Sequence, residues 1–316
     1  MLNVSDEFKD AWLQGHQKYI QLDFSDGTSL ADDDIVGESF KLEESLCTEE
    51  QIIFGLVASS KFTIQIYNAG KKYAGLSVRP TLAAFENGQY YIMQFGTYKI
   101  LEDKRSDDRN YRTITAYDAL YDIVGENYAE WYNAFYLNNG SKCTLKAFRD
   151  AFFEHIGITQ EPISLINDDA VTVGKNNVET FSGSDIIRSI CEPNGAYGFL
   201  NHDGHFQYVN TAANMPLYPE PELFPSEEIY PGGQEFEQVG SGDSNSKPSS
   251  IIYSDYYTHK ITQARWNETD RNATVTGGTD GNCYEFKENF LFYEFTEATL
   301  RGIAQNFLKS SMAFWY

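Results

Sequence analysis

His202 and His205 flank Asp203-Gly204, and two imidazoles beside a carboxylate are residue types that bind zinc or move protons. A zinc shell needs further ligands, yet His16, His155 and His259 are scattered, and no H-E-x-x-H or Cys-His pairing completes a site. The Asp-Gly dipeptide between two short aromatic runs reads instead as a turn. Asp32-Asp33-Asp34 is an acidic cluster, but it lacks the alternating ligands and closing Glu of a calcium loop. Gly183-Ser184-Asp185 lacks the G-x-S-x-G setting of a nucleophilic serine and reads as a helix start capped by Ser184. Carboxylates are abundant enough to leave a glycosidase pair open, because such pairs are defined by separations of about 5 to 10 Å that sequence does not give. No phosphate-binding loop, dinucleotide fingerprint or basic aromatic patch is present. The expectation is therefore no catalytic residue, no metal and no cofactor.

The elements that would hold any site come from the rest of the chain. With 316 residues there is room for two or three domains, and 22 Tyr and 22 Phe supply apolar surface for real cores. Alternating aromatic and Thr-rich segments favour strands over a helical bundle. The 24 Lys and Arg against 46 Asp and Glu give a net charge of −22, which repels phosphate backbones and excludes sequence-specific nucleic-acid binding. Solubility is the plainer meaning of that charge; a passage through which DNA slides without sticking is the sharper one. Cys47, Cys143, Cys191 and Cys283 show no C-x-x-C spacing and read as reduced core thiols. The start lacks an apolar signal region and no run approaches the roughly 20 apolar residues of a membrane span, so the expected protein is soluble and made in a cytoplasm.

Asn3 to Leu13 predicts a short helix with Phe8 and Trp12 on one face, Ser5 or Asn3 as cap and a break at Gly15. Lys18 to Phe24 with the turn at Asp26-Gly27 predicts a hairpin, Phe40 to Leu46 and Phe62 to Tyr67 two further strands. Gly75 to Phe85, Asn87-Gly88 and Tyr90 to Ile100 predict a long second hairpin. Asp103 to Asn110 reads as a charged loop, and Tyr111 to Ala116 as a strand running into a helix capped by Asp118. About six strands then precede the first substantial helix, enough for a closed or nearly closed barrel. Helices are predicted over Tyr128 to Leu137, over Thr144 to Ile156 with Gly157 as stop, and from Ser184 to Pro193-Asn194-Gly195, followed by the hairpin Ala196 to Val209. Pro216 to Pro231 and Gly240 to Ser250 mark a connector and a mobile loop. Ile251 to Tyr253, Lys260 to Trp266 and the turn at Gly277 to Gly281 resume β structure. Thr296 or Thr299 then caps a last helix before the aromatic run Phe314-Trp315-Tyr316, which reads as the beginning of a strand cut off.

Several of these segments, in this order, resemble the family of phage baseplate-hub and tail-associated proteins. The marks are Ile35 to Phe40, Phe54 to Ser60, Gly96 to Ile100, Ile114 to Leu120, Ser182 to Ile190, Tyr197 to Phe206 and Asn289 to Phe307. The resemblance implies an α+β, β-dominated fold in which two tube-like β-barrel domains flank a small α/β insert, divided as 1–120, 121–215 and 216–316, the last truncated at its end. It also implies a homotrimer that adapts a six-fold tail tube to a three-fold tip around a DNA channel, located at the virion tail tip. Expected partners are further copies of itself and distal tail, tail tube or tape-measure proteins, with DNA only in passage and no membrane insertion. Peptidoglycan cleavage, which many relatives carry in a following region, is not expected of this chain. The alternative of a different class is a carbohydrate-active enzyme or sugar-binding module, which requires a concave pocket with paired carboxylates and aromatics.

Overall fold

Eight strands in the first part of the chain assemble one antiparallel sheet: β1 (Gln17–Phe24), β2 (Ser29–Leu30), β3 (Lys41–Glu43), β4 (Lys61–Ile66), β5 (Ser77–Glu86), β6 (Gln89–Gln94), β7 (Tyr98–Arg105) and β8 (Arg112–Tyr117). The computed structural model describes residues 6–13, 17–44, 54–67, 70–86, 88–107, 109–138, 142–210, 261–268, 271–276, 282–293 and 296–311. The caps expected at Asn3 or Ser5, the break at Gly15, Cys47, the connector and loop between 216 and 250, the strand at 251–253, the turn at 277–281 and the aromatic end lie outside them.

The strand path is β2-β1-β5-β7-β8-β4-β3, with β6 attached to β5. Alternation decides which face is buried: β4 turns Phe62, Ile64 and Ile66 inward and β8 turns Ile114 and Ala116 inward, onto Leu22, Phe24, Tyr98 and Ile100. The sheet curls round this core, and Ile35 after β2 meets Ile66 at the end of β4 through an isolated bridge. No closed barrel forms among the described residues, because the path ends on β2 and β3, which are two and three residues long. Helix α1 (Asp6–Leu13) buries Phe8 and Ala11 and packs on β5 and β6, with Phe8 stacked on Trp12 at 5.5 Å.

Two expectations are corrected here. Tyr90 to Ile100 is not one strand: β6 ends at Gln94, Phe95 is buried, and β7 begins at Tyr98 to meet the other end of β5. The switch falls at Pro80, whose carbonyl accepts the Phe95 amide at 3.0 Å and which has no N–H to offer there. The charged loop begins only after Arg105, because Asp103 lies in β7 opposite Ile114 and its carboxylate meets the Arg112 guanidinium at 2.7 Å, both side chains being buried.

The chain then builds α2 (Leu120–Gly125), α3 (Ala129–Asn138), β9 (Lys142–Thr144), α4 (Leu145–His155), β10 (Val171–Val173), α5 (Gly183–Cys191), β11 (Ala196–Leu200) and β12 (Phe206–Asn210). β9 pairs with β10 and β11 with β12, both antiparallel. The last elements are β13 (Ile261–Glu268), β14 (Arg271–Thr276), β15 (Asn282–Phe286) and α6 (Glu297–Ser311). β13 is the middle strand, antiparallel to β14 and parallel to β15. Where a second tube-like barrel was expected, the described strands form this three-stranded sheet, and it has no core of its own. Trp266, Phe286, Phe292 and Phe307 pack in one cluster with Tyr132, Phe148, Phe152, Ile187 and Phe206.

Local signals set the helix ends. Thr144 Oγ1 accepts the Ala147 amide at 3.2 Å and Gly157, at φ +70°, stops α4. α5 is capped by Ser182, not Ser184: its Oγ accepts the Asp185 amide at 3.1 Å. Gly183 is the first helical residue because it lies against α2, where a Cβ would stand 2.2 Å from the Ile123 carbonyl oxygen. Thr296, not Thr299, supplies the cap of α6, its Oγ1 accepting the Thr299 amide at 3.4 Å.

Gly183→Ala is expected to destabilise the fold by about 1–3 kcal/mol, since the obstacle is backbone and cannot swing aside. Gly302→Ala, in α6 with nothing within 4 Å of the added carbon, is expected to stabilise by about 0.4–1 kcal/mol. Urea unfolding of the two variants checks both signs, and a Gly183→Ala protein as stable as the parent would refute the close approach.

Candidate functional site

The two hairpin histidines are brought to the same turn but not to a common ligand. Asn201 organises it: its Oδ1 accepts the amides of Asp203 at 3.0 Å and His205 at 2.9 Å, and Gly204 takes φ +78°. His205 Nδ1 lies 2.9 Å from Glu161 Oε1 and His202 Nε2 lies 3.3 Å from Glu44 Oε1, two different carboxylates. Hydrogen bonds from His205 and Asn201 hold the Glu161 carboxyl below the usual carboxylate range. His155 is exposed and stacks on Trp131 at 5.3 Å at the edge of the aromatic core, while His16 and His259 lie outside the described residues. Among the described residues no three His, Cys, Asp or Glu side chains gather as metal ligands.

The acidic triplet has a backbone task. Asp32–Asp34 is a single 3-10 turn in which Asp32 Oδ1 accepts the Ile20 amide at 2.6 Å and Asp34 Oδ2 the Ala31 amide at 3.3 Å. Ser184 is half-buried in the first turn of α5. The thiols divide: Cys191 is buried and Cys143 half-buried with Thr172 Oγ1 3.0 Å away, but Cys283 is exposed, which corrects its placement as a core thiol. Burial pushes the Cys191 and Cys143 thiols up from their ordinary values, so neither is an activated nucleophile.

The polar constellation that sequence reading missed centres on Arg149. Its guanidinium makes a two-pronged pair with Asp168 at 2.8 and 2.9 Å, donates to Gln160 Oε1 and the Ile163 carbonyl at 2.9 Å, and stands 5.4 Å from the Tyr208 ring. The Arg149 and Asp168 side chains are 3% and 9% exposed. An arginine beside the apolar stripe Leu145, Phe148 and Phe152 of α4 was the available signal. An open cleft of about 520 Å³ lies over it, lined in part by Lys146, Asp150, Gln160 and Glu161. Its carboxylates are both engaged, Asp150 with Lys146 and Gln160, Glu161 with His205 and Asn201. No aromatic side chain is among the residues that line it. The cleft therefore does not favour the carbohydrate reading.

The remaining buried polar groups sit where one region is fastened to the next. Asp118 follows β8 and spans two elements, its Oδ2 accepting the Ser60 amide at 2.8 Å and its Oδ1 the Leu120 amide at 3.0 Å. Burial pushes its carboxyl up to about 6 despite these bonds. Glu192, just after α5, accepts from Tyr284 Oη at 2.8 Å and the Lys287 amide at 3.4 Å, while its Oε2 is buried without a hydrogen-bond partner. Burial pushes Glu192 up to about 7. Asn289 Nδ2 donates to the Ser189 carbonyl at 3.0 Å and Asn306 Nδ2 to Asn167 Oδ1 at 2.8 Å, closing the same seam. These groups fasten one element to the next, and the chemistry they supply is attachment.

No family model matches the chain, and no curated protein sequence matches it. Among solved structures it is similar to the prophage MuSo2 43 kDa tail protein from Shewanella oneidensis, at 11% identity over 93% of this chain and 80% of that one, with a TM-score of 0.46. It is also similar to the prophage tail protein gp18 from Listeria monocytogenes EGD-e, at 12% identity over 92% and 78% of the two chains with a TM-score of 0.42. A tail protein from Neisseria meningitidis MC58 gives 10% identity, 92% and 76% coverage and a TM-score of 0.41. Likeness at these scores is one of outline.

The Glu192 carboxyl is raised in the fold, so the unfolded chain binds fewer protons between its ordinary value of 4.5 and about 7, and stability falls as pH rises through that window. The loss attributable to it is about 3 kcal/mol. Urea unfolding at pH 5 and pH 8.5 should show the decline in the parent and a markedly flatter dependence in Glu192→Gln; identical slopes would remove this account. Asp168→Ala removes the two-pronged partner of a buried guanidinium, leaving only the half-exposed Asp150 carboxylate 3.5 Å away, and should lower stability by about 3 kcal/mol. Lys146→Ala, which breaks an exposed pair, should change stability by less than about 0.5 kcal/mol in the same assay.

Proposed function

We propose that this chain is a structural subunit of a bacteriophage or prophage tail, a hub-like protein of the tail tip that acts by assembly and carries no catalysis of its own. The observation that supports this reading is where the family-like segments fall. Ile35 to Phe40 ties β2 to β4, with Ser39 Oγ donating to the Gln65 carbonyl at 3.2 Å and accepting its amide at 3.1 Å. Phe54 to Ser60 enters the α/β core through the Gly55 amide, which donates to the Ala196 carbonyl at 3.0 Å, and through a bridge between Val57 and Gly198. Ile114 to Leu120 ends in Asp118, Ser182 to Ile190 begins with the cap of α5, and Asn289 to Phe307 carries the bonds to Ser189 and Asn167. These segments are joints of the architecture, and a protein whose distinctive residues are joints is one whose product is its own shape.

In this reading three copies surround the tail channel and adapt the six-fold tube to a three-fold tip, each copy contributing tube-like β units to the ring. Tail tube, distal tail and tape-measure proteins are its neighbours, and DNA only passes. The −22 net charge then serves as a lumen lining of low affinity for DNA, provided the Asp and Glu side chains concentrate on the channel face. The deciding experiment is quantitative mass spectrometry and electron cryomicroscopy of purified particles from the strain that encodes the chain. Three copies at one end of the tail are expected. Absence from the particles, or distribution along the whole tube, would end the proposal.

A further inference from the structure

Among the described residues β6 is an open edge, and its outward face has an unusual composition for this chain. The registers of β1, β5 and β6 place Tyr19, Ala83 and Ile92 in one row, with Phe85 and Tyr90 in the row on one side and Gln21, Thr81 and Gln94 in the row on the other. The opposite face carries Leu22, Ala84 and Met93, which turn toward the core, and Lys18, whose ammonium lies 4.4 Å from the Trp12 ring of α1. Thus α1 covers the inner side, while the outer side leaves Tyr90 54% and Ile92 61% exposed. None of the eight outer residues is charged, nor is any residue from Gln89 to Tyr98, in a chain of net charge −22.

The backbone of this edge, among the described residues, is also unpaired in a definite pattern. The Phe95 amide bonds the Pro80 carbonyl, and in an antiparallel ladder such pairs alternate with pairs that point their amides and carbonyls away. Tyr91 and Met93 therefore bond to β5, and Tyr90, Ile92 and Gln94 direct their N–H and C=O groups outward. Among the described residues no strand pairs with that edge. Edge strands are ordinarily guarded by lysine, proline or a bulge, and β6 has none of these.

We propose that β6 pairs with β6 of a second copy of this chain, antiparallel and across a two-fold axis at Ile92. The register is self-complementary: Ile92 faces its own counterpart, Tyr90 faces Gln94 and Gln94 faces Tyr90, and all six outward backbone groups of each copy find partners. Two-fold pairing also explains the composition. A charge at position 92 would oppose an identical charge, and two copies of an acidic chain can approach closely only along an uncharged strip. The contact is distinct from the three-fold assembly proposed above and stands whether or not the chain belongs to a tail.

Sedimentation over a range of concentrations tests it on the full chain. The parent is expected to move from the 35.9 kDa monomer to twice that mass. Ile92→Glu should remain monomeric with an unchanged circular dichroism spectrum, and Leu137→Glu, at an exposed site on α3, should dimerise like the parent. Hydrogen exchange on the parent guards against a variant that fails to fold: the Tyr90, Ile92 and Gln94 amides should become protected as concentration rises. A parent that stays monomeric, an oligomer untouched by Ile92→Glu, or protection independent of concentration overturns the proposal. A parent dimer lost in Ile92→Glu, from a chain that is absent from particles, upholds it while removing the tail reading.

Discussion

Phe54 ties the regions of this molecule together. It belongs by sequence to the sheet-forming part of the chain, between β3 and β4, yet its fully buried ring lies among Tyr197, Tyr284 and Phe307, at centroid distances of 5.4, 5.5 and 5.1 Å. Those three rings come from β11, β15 and α6, so one side chain joins the first sheet to both later parts of the fold. Burying such a ring is worth about 1.5–3 kcal/mol. Its position is enforced by the next residue. Gly55 takes φ +78°, and a Cβ there would stand 2.9 Å from the Arg188 carbonyl oxygen, so only glycine lets the backbone come close enough for its amide to reach Ala196.

Around this insertion the polar groups follow a division set by desolvation. Asp103 and Asp168 lie in apolar surroundings but each faces an arginine, Arg112 or Arg149. Among the described residues neither Asp118 nor Glu192 forms an ion pair of this kind. Backbone amides and the hydroxyls of Ser60 and Tyr284 reach them, and burial outweighs those bonds enough to move the two carboxyls up to about 6 and about 7. The two unpaired carboxylates are the ones at the seams, Asp118 where the sheet hands over to α2 and Glu192 where α5 meets β15. A seam held by a carboxyl that prefers to be neutral is firm at mild acidity and strained once the proton leaves.

Much of the fold was legible in the sequence because it rests on local patterns. Period-two alternation located β4 and β8, Asp-Gly and Asn-Gly located the turns, and Thr144, Gly157 and the Pro193-Asn194-Gly195 run set helix ends within a residue. The errors arose where a distant contact overrides a local preference. Ser184 is as good a cap as Ser182 in isolation, and only the approach of Ile123 to Gly183 decides between them. The strand from Tyr90 is broken by Phe95, whose ring is drawn off the ladder onto His202 at 4.9 Å and Phe40 at 5.8 Å, a tertiary event with no counterpart in spacing. The hairpin histidines read correctly as turn residues, since Asn201 governs the geometry. The Arg149 constellation was hidden because its partners are 11 to 19 residues away and belong to a loop without periodicity.

The shared core carries a consequence for any assembly built from this chain. A three-stranded sheet cannot bury both faces alone, and here Trp266, Phe286 and Phe307 are buried only by packing with Phe54 and the helices. Among the described residues the last sheet is therefore packed directly against Phe54, and Ser60, just before β4, is held in turn by Asp118. A loose string of domains would absorb a displacement in its linkers, as separately cored domains do. A chain whose described regions share one core passes it on instead.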